Sequence, residues 1–167
     1  MASGEKPGVA FIRPARAAER GSIREQLRNR WGSPTIVTGG RARDASSLPA
    51  LVAAQGEEIV GLATYELSDR ECELITLDAF RSGTGIGSAL LSGVRDVAFQ
   101  HGCVRLWLIT TNDNLDALRF YQRRGMRLVA VHQGAVDAAR RLKPAIPLTG
   151  EHGIPIHDEL ELELELN

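Results

Sequence analysis

Between Glu71 and Gln100 lies the stretch that most limits what this chain can fold into. Glu71-Cys72-Glu73-Leu74-Ile75-Thr76-Leu77-Asp78 reads as a strand. A short turn and the glycine cluster Gly83-Thr84-Gly85-Ile86-Gly87 follow, and a helix opens at Ser88. Alternating glycines at a strand-to-helix junction expose consecutive backbone N–H groups. The unpaired donors and the positive dipole end of the helix point the same way. Such a junction cradles a phosphate or pyrophosphate; the plainer alternative is a loop whose glycines serve only tight turning.

A chain of 167 residues suits one domain with a continuous core. We expect residues 9–167 to form that domain and residues 1–8 to be a flexible N-terminus. With 43% hydrophobic and 25% charged residues and a net charge of −1, nothing pulls the whole chain toward nucleic acid or membrane. The basic stripe described below also lacks the interleaved aromatics of a nucleic-acid platform. Cys72 and Cys103 sit in apolar, strand-like contexts and read as reduced core residues. The start, Met1 to Pro7, lacks the apolar core of a signal peptide, and no later run reaches membrane-spanning length. A cytoplasmic protein is expected. His101, His132, His152 and His157 have no zinc-ligand spacing, so no metal is expected.

In chain order, Val9 to Arg13 reads as a short strand stopped by Pro14. Ala15 to Arg30 has helical periodicity: Ile23, Leu27 and Trp31 form one stripe, and Arg20, Arg24 and Arg28 a second. The arginine stripe reads as a solvated face, with an electropositive flank for an acidic ligand as the sharper alternative. Trp31 reads as core more than as a ligand-stacking surface. Thr35 to Thr38 is strand or extended loop, broken by Gly39-Gly40, and 41–49 reads as loop.

Ala50 to Ala54 and Glu58 to Leu67, joined by Gln55-Gly56-Glu57, give a hairpin signal, and Ser68-Asp69-Arg70 turns the chain into the strand at Glu71. After the glycines, Ile86, Ala89, Leu90, Val94, Val97 and Ala98 mark the buried face of a helix ended by Gly102. Cys103 to Ile109 is then a strand parallel to the one at Glu71, because a helical crossover joins them. Thr110 to Asn114 is turn and N-cap chemistry for a helix from Leu115 to Arg124, ended at Gly125; Met126 to Val131 returns as a strand.

From His132 to Pro155 the chain is irregular, with a short helix from Val136 to Leu142, and reads as an ordered surface excursion without an assignable role. Glu159 to Leu166 alternates with period two, as a half-buried strand whose glutamate face meets water or cations. The fold class is therefore α/β: a mixed sheet made of an antiparallel meander, one parallel β-α-β crossover and a terminal strand.

Two motifs in this order resemble the GNAT superfamily of acetyl-CoA-dependent N-acetyltransferases. The family's phosphate loop, Gln/Arg-x-x-Gly-x-Gly/Ala, falls on Ser82-Gly83-Thr84-Gly85-Ile86-Gly87. Its second motif, Asn-x-x-Ala-x-x-Phe/Leu-Tyr-x-x-x-Gly-Phe, falls on Asn114, Ala117, Phe120, Tyr121 and Gly125, with Met126 last. The similarity spans Leu51 to Val131. Ser82 departs from the family's glutamine or arginine, which removes a long polar side chain but keeps the loop amides. Met126 replaces phenylalanine by another large apolar residue. The stretch 132–155 is longer than the family's short connection.

The resemblance implies that the diphosphate of coenzyme A sits on Ser82, Gly83, Thr84, Gly85, Ile86, Gly87 and Ser88. It implies a pantetheine arm held by backbone at Ile75 and Leu77, with the Leu77 N–H polarising the thioester carbonyl, and Asn114 and Phe120 on the arm's other side. Tyr121 is the implied acid for the leaving thiolate. The acceptor is a primary amine of a small molecule or peptide. An alkylammonium of pKa about 10.4 needs about 4 to 5 kcal/mol to reach its reactive form at neutral pH, so a base is useful. Glu71 and Glu73 share the strand parity of Leu77, and Glu73 is preferred. The glutamate-rich end favours a cationic acceptor. The competing readings are a non-catalytic acyl-CoA sensor module and a Rossmann-type dinucleotide enzyme. A homodimer is left open.

Overall fold

The computed structural model describes residues 9–167; the flexible N-terminus expected for 1–8 lies outside the described residues. The chain runs β1 (Phe11–Pro14), α1 (Arg20–Trp31), β2 (Thr35–Thr38), β3 (Arg41–Asp44), β4 (Ala50–Gln55), β5 (Glu58–Ser68), β6 (Glu71–Ala79), α2 (Ile86–Gln100), β7 (Arg105–Thr111), α3 (Leu115–Gln122), β8 (Arg127–His132), α4 (Ala135–Ala139) and β9 (Glu159–Glu165). Seven strands form one sheet in the order β1-β4-β5-β6-β7-β9-β8, and β2 and β3 form a separate ribbon. Among the described strands, only β6 and β7 pair in parallel. The α/β class and the single crossover expected from sequence are present. Among the described residues there is no Rossmann arrangement, which needs a run of parallel strands.

Two cores sandwich the sheet. On one face α2 inserts Ile86, Leu90, Leu91, Val94 and Ala98 against Leu51, Ala53, Ala63, Leu74 and Leu106. On the other, Ile23 and Leu27 of α1 meet Ile36, Val52, Leu62 and Ile75. Cys72 and Cys103 are buried and unpaired, and burial pushes the Cys72 thiol up to about 12, so it behaves as a small apolar side chain.

Five local readings need correction. The segment 41–49 is not loop throughout: Arg41–Asp44 pairs with Thr35–Thr38. Gly39 and Gly40 both take positive φ (58° and 74°), the backbone that a two-residue hairpin turn requires, so they join two strands instead of ending one. The arginine stripe is partly structural, since Arg20 donates to the Ser46 and Leu48 carbonyls and Arg24 binds Asp44 at 3.0 Å. Trp31 is 39% exposed and lies outside both cores. Finally, α2 opens at Ile86, two residues before Ser88.

A bulge redirects β6. Thr64 opposes Thr76 but Tyr65 opposes Leu74, which leaves Ile75 as an extra residue. Strand parity changes there: Leu74 and Leu77 both join the α2-side core, whereas Ile75 faces α1. Glu73 therefore does not share a face with Leu77, contrary to simple alternation.

Candidate active site

The parallel pairing of β6 with β7 stops early. Glu71 to Leu74 match Arg105 to Leu108, yet β6 continues to Ala79 and β7 to Thr111. Beyond Leu74 the strands diverge, so backbone groups of Ile75 to Asp78 on that side have no strand partner across the gap. The gap is a cleft of about 390 Å³ lined by Ile75, Leu77 and Asp78 of β6, Ile109 and Thr110 of β7, and Asn114, Ala117 and Tyr121 beside it.

At the α2 end of the cleft lies the glycine loop. Gly85 is the N-cap with φ 77°, a left-handed conformation that favours glycine, and no side chain caps the helix. The first helical bond runs from the Ala89 N–H to the Gly85 carbonyl, so the amides of Ile86, Gly87 and Ser88 are left free. Gly83, Thr84 and Ser82 are exposed beside them, with the Thr84 hydroxyl donating to the Arg81 carbonyl at 2.9 Å. Arg124, just past α3, stacks on the Phe120 ring at 3.6 Å and donates from Nε to the Ser88 Oγ at 2.8 Å. A guanidinium thus stands beside the free amides, supplying positive charge that Ser82 does not.

Asn114 caps α3, its Oδ1 accepting from the Ala117 N–H at 3.2 Å. The helix that this cap opens carries Phe120 and Tyr121 on its last turn, where Tyr121 lines the cleft and the two rings pack edge to face. Burial, with Asp78 nearby, pushes the Tyr121 phenol above its ordinary range, so it holds its proton at any working pH. Across the cleft, Asp78 accepts from the Trp31 Nε1 at 2.8 Å and burial raises its carboxyl. Trp31 and Asp78 were not singled out as site residues by sequence, because their contact joins elements far apart in the chain.

A second, smaller chamber of about 210 Å³ adjoins the cleft, and the two share Trp31, Ile75, Ile109, Thr110 and Asn114. Its walls are Ile36, Val37 and Thr38 of β2 and Val136, Ala139, Lys143 and Ile146 of the 132–155 excursion. The excursion therefore has a place: it closes this chamber. Asn112 pins it by donating to the Pro155 carbonyl and accepting from the His157 and Asp158 N–H groups, and Asp113 by accepting from the Glu151 N–H.

Glu73 lines neither space. It is 6% exposed, and its Oε2 accepts from Arg43 at 2.7 Å. Burial raises its carboxyl to about 7 against the opposing pull of Arg43. Glu71 meets Arg105 at 3.5 Å. The glutamate face of β9 is mostly neutralised within the protein: Glu161 and Glu163 bind Arg105, and His132 meets Glu161. Glu159 differs. It is 2% exposed, lines the chamber, and accepts at Oε2 from the Gly39 N–H at 3.1 Å. Asp116, Glu151 and His152 gather within 4.8 Å of one another, all exposed, a grouping the histidine spacings gave no sign of. Among the described residues no helix is long and apolar enough to cross a membrane.

Diverging parallel strands, an uncapped helix N-terminus and a phenol between them define an acyltransferase of the GNAT fold. The profile of the Acetyltransferase (GNAT) family matches residues 17–126, and the chain belongs to that family. The uncharacterized protein YdhI of Bacillus subtilis is 43% identical over 131 residues, 78% of this chain and 82% of YdhI. Two solved structures share the fold. The IAA acetyltransferase from Bacillus cereus has a TM-score of 0.71 at 21% identity, covering 94% of this chain and 99% of its own. The putative acetyltransferase yncA from Salmonella typhimurium, solved with its cofactor acetyl-CoA, has a TM-score of 0.68 at 18% identity, covering 96% and 95%.

Proposed function

We propose that this protein transfers an acetyl group from acetyl-CoA to a primary amine of a small molecule or peptide, by direct attack while both substrates are bound. The observation that carries the reading is the continuity of three features: free amides at the mouth of α2, a cleft edged by unpaired backbone of β6, and Tyr121 at its wall. The amides of Gly83, Thr84, Gly85, Ile86, Gly87 and Ser88 suit a diphosphate, helped by the Arg124 charge; Ser82 lies on the outer rim. Ile75 and Leu77 offer N–H and C=O groups to the amides of a pantetheine arm, and Asn114 and Phe120 flank it. The Leu77 N–H suits the thioester oxygen, where charge grows as the amine adds.

The amine nitrogen attacks the carbonyl carbon, the C–S bond breaks, and coenzyme A leaves as a thiol after taking a proton from Tyr121. The proton released by the amine goes to a carboxylate. Glu73, tied to Arg43 and away from the lining, can accept it only through water. The test is thiol release from acetyl-CoA with an amine panel. Release that depends on the amine, with the N-acetyl product found by mass spectrometry, supports the reading; coenzyme binding with no turnover across the panel favours the sensor module instead.

A further inference from the structure

The chamber beside the cleft carries two charges of opposite sign that do not pair with each other. Lys143 donates from Nζ to the Thr35 carbonyl at 2.9 Å and makes no ion pair among the described residues. An ammonium has three donors, so two remain. Burial alone lowers its pKa, as expected for a cation drawn from water without a carboxylate beside it. Glu159, a lining residue of the chamber, has one described side-chain hydrogen-bond partner, the Gly39 N–H, bound at Oε2, and its Oε1 has none. The rest of the lining is largely apolar, with Ile36, Val37, Ile75, Ile109, Val136 and Ile146, and its polar members are neutral: Thr38, Thr110, Thr111 and Asn114. Holding the Glu159 carboxylate in such a place is costly unless a ligand completes it, and the half-buried Lys143 is open to an anionic group of the same ligand.

We infer that the acceptor is an apolar amino acid, bound as a whole molecule, with its carboxylate on Lys143, its side chain against the apolar walls and its amine directed by Glu159 toward the cleft. This rests on the acetyl-transfer reading above and narrows its acceptor. A cationic amine alone would meet Lys143 with like charge, and a neutral amine would leave both charges unmatched. A volume of about 210 Å³ suits a molecule of amino-acid size. In the transfer, Glu159 takes one proton from the ammonium before the freed amine adds to the acetyl carbon; the second N–H proton, released as the amide forms, restores through water the Tyr121 phenol that protonated the thiolate, and the carboxylate of the acceptor is unchanged.

The experiment compares L-leucine, L-leucinamide and isopentylamine as acceptors at saturating acetyl-CoA, reading coenzyme A thiol release. The three share a side chain and differ in the carboxylate. A charge-assisted bond to Lys143 predicts kcat/KM for leucine about tenfold or more above the other two. Lys143→Met should collapse that ratio to within about threefold, and Lys143→Arg should keep most of it, with circular dichroism checking that both variants fold. The inference is overturned if leucinamide or isopentylamine matches leucine, if Lys143→Met leaves the ratio intact, or if coenzyme binds and no arm turns over. Turnover of the amines without leucine sinks the acceptor class and leaves acetyl transfer standing. Absence of coenzyme binding by calorimetry strikes the parent reading itself.

Discussion

Tyr121 is held where α3 meets the cleft, and burial keeps its phenol protonated. As the acid for the departing thiolate, it predicts that Tyr121→Phe lowers kcat about 100-fold or more, the usual scale of general acid catalysis, while KM for acetyl-CoA moves little. Steady-state kinetics check this, and a kcat within threefold of wild type would remove Tyr121 from the chemistry. Glu73 supports a prediction about stability. Its carboxyl rises on folding from 4.5 to about 7, chiefly through burial, so between those values the folded state binds the extra proton. Stability from this group is full below 4.5 and is lost as pH rises through about 7. Glu73→Gln removes the titration, so its melting temperature should rise relative to wild type between about pH 5 and about pH 8. An equal difference at both pH values contradicts the assigned titration.

At the scale of elements, α2 and α3 are coupled through one guanidinium. Arg124 stacks on Phe120 and binds Ser88 beside the free amides of α2, so its charge reinforces the helix dipole at one point. Arg124→Ala should weaken CoA binding about 2- to 10-fold at low ionic strength and less in high salt. Unchanged affinity at low salt would show that this charge is not felt at the cradle. The glycine loop and the Asn114 cap were legible in sequence because both are local: residue type fixes a nearby backbone shape. The bulge at Ile75 was not, because it is set by register with β5 and alternation within β6 gives no sign of it. That one inserted residue separates Glu73 from Leu77. Arg43 was equally hidden, a polar residue in a loop-like stretch that becomes 8% exposed only when β3 folds onto β2.

Across the whole molecule, the sheet splays so that one face receives α2 and α3 and the other receives α1, the β2–β3 ribbon and the 132–155 excursion. The two spaces meet at Trp31, Ile75, Ile109, Thr110 and Asn114; under the proposed function each substrate would have its own approach and a common centre. The glycine loop and the residues edging the cleft could be read from sequence, and most of the chamber could not. Its walls come from Ile36, Val136, Lys143 and Glu159, and Asn112 and Asp113, which read as ordinary turn residues, are what tie the excursion down. Titration calorimetry of CoA into the folded protein tests the central claim most directly. One saturable site, with heat suppressed by prior addition of acetyl-CoA, is the predicted result; a folded protein that gives no saturable heat with either ligand contradicts it.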